Sequence, residues 1–184
     1  MTILPLLAVL VQSLGGGAVD ALEAPAGTRA IVFLFTSTDC PISNRYAPDL
    51  RRLAEEFGPK GVVFRLIYPN PADEADAIRD HMRAFGYVGA AESGPHESFL
   101  ALRDGKQVLA KFVGATITPE AAVYAGGRIV YRGRIDDRYV DLGLERPAPT
   151  RRDLAEALGS VIAGRAVAQP KTQAVGCYIA DFAR

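Results

Sequence analysis

A chain of 184 residues in which 49% of side chains are apolar is long enough to bury one core and too apolar to stay disordered. Its 21 lysines and arginines balance 21 aspartates and glutamates, so neither nucleic acid nor an anionic membrane surface is implied as a partner. Two cysteines, Cys40 and Cys177, are too few for a disulfide scaffold and lack zinc-site spacing, but they suffice for one bridge.

Residues 3–14 form an apolar run too short to span a bilayer as a stable helix. Small residues follow it, as in the apolar part of a secretory signal, although no lysine or arginine precedes it. Residues 1–24 are read as an apolar leader, a candidate signal peptide, with an ordinary N-terminal strand as the alternative. An exported or periplasmic protein follows from the first reading and a cytoplasmic one from the second. Residues 25–165 then read as one domain, and 166–184 as a C-terminal tail.

Residues 30–36 (AIVFLFT) are continuously apolar, the pattern of a buried central strand. Residues 41–57 carry apolar side chains at helical spacing, with Pro48 expected to kink the helix and Gly58 to end it. Residues 61–68 give a second buried strand. Asn70-Pro71 then predicts a helix start, with Asn70 as cap and the helix running to about Gly86. Residues 87–97 read as a loop, 98–103 as a short strand, and 107–112 as a short helix ending at Gly114. Residues 120–125 and 128–135 are two strands joined by Gly126-Gly127, a two-residue hairpin signal. Residues 136–149 form a polar loop in which Asp136, Asp137 and Arg138 read as a salt-bridge cluster. Thr150 is expected to cap the last helix, with Asp153 as capping-box acid. The tail shows no periodicity and is expected to pack on the surface, folding back towards the Cys40 end of the sheet. This order predicts an α/β fold, a mixed central sheet with helices on both faces.

Cys40 is the residue that points to chemistry. The first central strand runs almost directly into it, Pro41 follows, and a helix begins, which places the thiol at a helix N-terminus. Unpaired N–H groups and the helix dipole favour a thiolate there, and a thiolate is a nucleophile. The alternative is a small buried apolar side chain. Arg45, one turn along, is a candidate to stabilise the thiolate by charge. Cys177 is read three ways: as a thiol that resolves an intermediate on Cys40, as a static tail clamp, or as a free thiol. His81 and His96 are expected to be solvated surface groups.

In these motifs the chain resembles the thioredoxin-like superfamily, in its redoxin or peroxiredoxin-like (AhpC/TSA-type) branch. The resemblance covers roughly residues 30–164. It rests on Cys40 after the first central strand, on Ala47-Pro48-Asp49-Leu50 at the expected distance beyond it, and on Thr118-Pro119 before the hairpin. The stretch from Arg132 to Tyr139 and Val175-Gly176-Cys177 add to it. It implies a three-layer thioredoxin-like sandwich and a thiol oxidoreductase, with peroxiredoxin-like antioxidant activity as one form of that chemistry. It implies a cis peptide before Pro119, which would face the thiol and shape the floor of the site. Thr118 would then be left free to pair with an extended substrate. Pro41, Ser43, Thr118 and Pro119 are the residues expected to contact substrate, and Cys177 the candidate resolving thiol. The pattern departs from the family twice. Ser43 stands where thioredoxins have their second cysteine, and Phe33 and Ser37 replace the proline and threonine of the peroxidatic motif. The expected partner is a thiol or disulfide redox protein or a small peroxide, with no metal or organic cofactor. The alternatives are a non-catalytic redoxin-fold module that docks a partner or handles metal, and a copper site using Cys40 with Cys177 or His96.

Overall fold

The computed structural model describes residues 8–87 and 99–180. The chain opens with two antiparallel strands, β1 (Leu10–Ser13) and β2 (Ala18–Asp20). Then come β3 (Ala30–Phe35), α1 (Pro41–Arg45), α2 (Ala47–Phe57), β4 (Val62–Tyr68), α3 (Ala75–Ala84) and β5 (Phe99–Arg103). The second half holds α4 (Val108–Val113), β6 (Ile117–Thr118), β7 (Glu120–Ala125), β8 (Arg128–Gly133), β9 (Tyr139–Asp141), β10 (Leu144–Glu145), α5 (Asp153–Ile162) and β11 (Cys177–Tyr178).

Seven strands make the central sheet, in the order β2-β1-β5-β4-β3-β7-β8. β3, β4 and β5 are parallel, and β7 lies antiparallel to β3. All six residues of β3 are buried because both sheet faces are covered. Ala30, Val32 and Leu34 join the core under α2, α3 and α5, where Leu50, Phe57, Ile78 and Leu158 pack. Ile31, Phe33 and Phe35 alternate to the other face and meet α4 through Leu109 and Val113. This is the mixed sheet with helices on both faces that the alternation of elements predicts.

The differences from expectation lie at element ends and at the two termini. The helix expected over 41–57 is two helices. It breaks at Tyr46, whose N–H turns back to the Ser43 carbonyl at 3.1 Å. Pro48 has no N–H to give the Asn44 carbonyl, and its ring crowds that turn. Gly58 does not stop α2 in a left-handed conformation; a 3₁₀ turn over Gly58–Lys60 follows, and Gly61, at φ 87, makes the stop. Asn70-Pro71 forms a turn instead of a helix start. The Asn70 Oδ1 accepts from the Ala72 N–H at 3.0 Å, and α3 begins only at Ala75. Thr150 does not cap α5, because its N–H and hydroxyl are both taken by the Asp137 carboxylate. Asp153 is buried against Arg134 at 2.7 Å and forms no capping box.

The loop at 136–149 contains the small β9–β10 hairpin, and its charged cluster forms in part, with Asp137 turned instead to Arg146 at 3.8 Å. Arg138 reaches Asp49 at 2.8 Å and Asp136 at 3.6 Å. Paired strands lie outside the 25–165 span on both sides, in the central sheet at the N-terminal end and in a separate two-stranded sheet in the tail. β1 pairs with β5, and Val9, Val11 and Ala21 are buried. In the tail β11 pairs with β6, and the Arg132 N–H donates to the Pro170 carbonyl at 2.9 Å. The loop expected at 87–97 falls, apart from Tyr87, outside the described residues, as does His96.

Candidate active site

β3 ends at Phe35, and the Thr36 N–H still bonds to the Ile67 carbonyl, so the next residues leave the sheet in a fixed direction. The short loop Ser37-Thr38-Asp39 is held from below. The Thr38 hydroxyl donates to Asp73 Oδ1 at 2.5 Å, and the Ser37 hydroxyl to Asp39 Oδ1 at 2.6 Å. Cys40 then caps α1 with extended backbone, and Pro41 occupies the first turn, where no N–H is needed. Cys40 is almost wholly buried, and Cys177 is exposed.

The structure brings Cys40, Ser43, Thr118, Pro119 and Cys177 together. The Thr118–Pro119 bond is cis. The Cys40 Sγ lies 3.2 Å from the Cys177 Sγ and 3.2 Å from the Thr118 carbonyl oxygen. Cys177 gets there because β11 runs antiparallel to β6 with Cys177 opposite Thr118. Gly176 allows that approach, since a Cβ there would stand 2.1 Å from the Thr118 carbonyl oxygen. The backbone of Thr118, expected to be free for substrate, is therefore occupied by the chain's own tail.

Arg45 is not brought to the sulfur. Its exposed guanidinium pairs instead with Glu145 at 3.3 Å. The long helix expected to supply a dipole is also absent, since α1 has five residues. Local groups take over both tasks. Burial pushes the Cys40 thiol up, but the hydroxyl and N–H of Ser43, with Cys177 and Thr118, outweigh it and hold the thiol below 9.0. The Ser43 hydroxyl is buried and has no other hydrogen-bond partner. Cys177 moves the other way, up to about 11, through burial, its hydrogen bond to Cys40, and the nearby charges of Cys40 and Asp39. The two thiols are thus biased in opposite directions, Cys40 towards the anion and Cys177 towards the protonated form.

Asn44 and His81 support this loop. Asn44 Nδ2 lies 3.5 Å from the Thr38 carbonyl, and the Asn44 N–H donates to the Cys40 carbonyl at 3.1 Å. His81 is buried, not solvated as expected. Its Nε2 is 2.7 Å from Asn44 Oδ1, and its Nδ1 is 2.9 Å from the Tyr68 hydroxyl. An amide oxygen only accepts, so Nε2 carries the proton. Burial pushes His81 below 6.5, which keeps the ring neutral. The signal was present in α3, where His81 stands three residues after Ile78 and beside Met82 on the apolar stripe.

A cleft of about 210 Å³ beside Cys177 is bordered by Ser37, Asp39, Thr118 and Tyr178. Among the described residues no group of three or more histidine, cysteine, aspartate or glutamate side chains converges as a metal site. His96, named for the copper alternative, lies outside those residues. No described helix is long and apolar enough to cross a membrane.

The fold carrying this site is thioredoxin-like. A secreted Mycobacterium tuberculosis disulfide oxidoreductase homologous to E. coli DsbE superposes with a TM-score of 0.52 at 16% identity, over 84% of this chain and 94% of that one. Higher similarity is found to an uncharacterized conserved protein from Geobacillus kaustophilus, with TM-score 0.77 and 26% identity over 96% of this chain and 90% of that chain. A hypothetical protein from Sinorhizobium meliloti gives TM-score 0.74 and 25% identity over 94% and 90% of the two chains. No family model matches the chain, and no curated protein does so at a significant level.

Proposed function

We propose that the chain is a thiol oxidoreductase in which Cys40 is the nucleophile and Cys177 the resolving thiol. The observation that carries this reading is the 3.2 Å separation of the two sulfurs across the cis-proline turn. With a disulfide substrate, the Cys40 thiolate attacks one sulfur, the S–S bond breaks, and the departing thiolate takes the electron pair. With a peroxide, the O–O bond breaks, an alcohol or water leaves, and Cys40 becomes a sulfenic acid. In either case Cys177 then attacks the Cys40 sulfur and expels the second thiolate or water. The product is a Cys40–Cys177 disulfide, which an external dithiol reduces with two electrons.

The charges order these steps. Part of what holds Cys177 near 11 is the negative Cys40 beside it. Once Cys40 has reacted, that charge is gone and the Cys177 proton becomes easier to lose. Resolution is therefore favoured only after attack. Ser43 favours the anion, Pro41 starts the helix that presents Ser43, and Thr118 and Pro119 wall the site.

Peptide mapping after one equivalent of hydrogen peroxide or of a small disulfide tests the reading. The expected product is an intramolecular 40–177 disulfide with both thiols consumed. Two free thiols after either oxidant would leave the non-catalytic partner-docking alternative in its place.

A further inference from the structure

We propose that residues 175–179 are a built-in copy of the segment that protein substrates present to this site: an extended strand with glycine immediately before the reacting cysteine. The proposal rests on Cys40 being the nucleophile. The tail is seated as a substrate would be. Cys177 lies opposite Thr118 and Tyr178 opposite Ile117, and the Ile179 N–H donates to the Thr116 carbonyl at 2.9 Å. The Thr118 hydroxyl lies 3.4 Å from the Cys177 carbonyl. Backbone makes most of this contact, for the Tyr178 side chain is 81% exposed. The β6 edge thus reads extended backbone with little regard for the residue after the cysteine.

It does read the residue before the cysteine. A Cβ on Gly176 would stand 2.1 Å from the Thr118 carbonyl oxygen and 3.0 Å from Pro119 Cδ. Those atoms belong to backbone and a proline ring, and neither can swing aside. A larger residue there lifts the strand from β6 and carries the adjacent cysteine away from Cys40. A substrate strand on the same edge meets the same obstacle. It must present glycine, and it must displace the tail, because both need one edge. A small disulfide such as that of cysteamine carries no residue before its sulfur and is not subject to the glycine requirement.

In the reaction the Cys40 thiolate attacks the substrate cysteine sulfur, the substrate S–S bond breaks, and the departing thiolate keeps the electron pair. The test uses the full chain carrying Cys177→Ser, so that nothing resolves the product, and the same protein with Gly176→Ala added to loosen the tail. Each receives three disulfides of nitrothiobenzoate, whose release is coloured: one with the peptide Gln-Ala-Val-Gly-Cys-Tyr-Ile-Ala, one with alanine replacing its glycine, and one with cysteamine. Peptide rates are expressed relative to cysteamine on the same protein. The glycine peptide is expected to react about tenfold faster than the alanine peptide, the scale of one overpacked contact. It is also expected to react faster with the loosened tail than with the docked one. Equal rates for the two peptides overturn the glycine rule. A glycine-peptide rate indifferent to Gly176→Ala overturns tail displacement. Failure of all three disulfides on a folded protein sinks the assignment of Cys40 itself, and this proposal with it.

Discussion

Ser43 shows how one substitution in a familiar motif changes its chemistry without removing it. A cysteine there would supply a second thiol, whereas the serine supplies a buried hydroxyl and an N–H that favour the Cys40 anion. The Cys40 thiol is held below its ordinary value of 9.0. Its nucleophilic form is therefore present below that pH and is lost only as pH falls through the lowered value. Ser43→Ala, made in a Cys177→Ser background, is expected to raise the pH midpoint of iodoacetamide alkylation by about one unit. That is the scale of one hydrogen bond to a charged group, about 1.5 kcal/mol. An unchanged midpoint would mean that the remaining contacts set the thiolate alone. Cys40 was legible in the sequence because strand, thiol, proline and helix follow one another in the chain. The expected role for Arg45 came from the same local reading. Spacing placed it one turn from the thiol, but side-chain direction sent it to Glu145. Asn44 and His81 were not legible as a support, since their contact spans 37 residues and closes only when α3 packs on the sheet.

At the scale of elements, the sequence showed most clearly those that local chemistry decides. Gly126 and Gly127 turn the β7–β8 hairpin at φ 57 and 79, the pair of left-handed residues that such a turn needs. β3 and β4 were plain from their apolar runs. The tail's return to the Cys40 end was expected but its strand pairing was not, because β6 and β11 have two residues each and no periodicity can show in two residues. Its docking is nonetheless written in glycines. At Gly133, with φ 151, a Cβ would stand 2.5 Å from the Thr172 carbonyl oxygen and 2.8 Å from its N–H nitrogen. Beside it the Thr172 N–H bonds to the Arg132 carbonyl at 3.1 Å, and the Thr172 hydroxyl accepts from the Arg134 N–H at 3.1 Å. Gly133→Ala is therefore expected to detach the strip leading to Cys177 at a cost of about 1–3 kcal/mol. Two readouts check it: protease cleavage after residue 165 becomes faster, and the 40–177 disulfide forms about tenfold more slowly. A variant that closes the disulfide at the native rate would show that β11 holds the tail unaided.

For the whole molecule, the two thiols join points 137 residues apart. Oxidation would close most of the domain into one loop. Constraining so long a loop lowers the entropy of the unfolded chain, and the loop-closure relation sets a ceiling of about 5 kcal/mol on the stabilisation. The tail is already docked in the reduced protein. Bond formation then needs the sulfurs to close from 3.2 Å to about 2.05 Å, a small movement at an exposed chain segment. Most of the entropic gain should therefore survive. We expect the oxidised protein to be about 2–4 kcal/mol more stable than the reduced one in urea unfolding with two-state analysis. The sign of that difference also sets the direction of electron flow. A disulfide that stabilises the fold is stabilised by the fold to the same extent. About 3 kcal/mol lowers a two-electron potential by roughly 65 mV relative to the same pair in the unfolded chain. The reduced protein would then give electrons readily and reduce its substrate. An oxidised form less stable than the reduced one would reverse this, making the pair an oxidant that hands its disulfide to the partner strand.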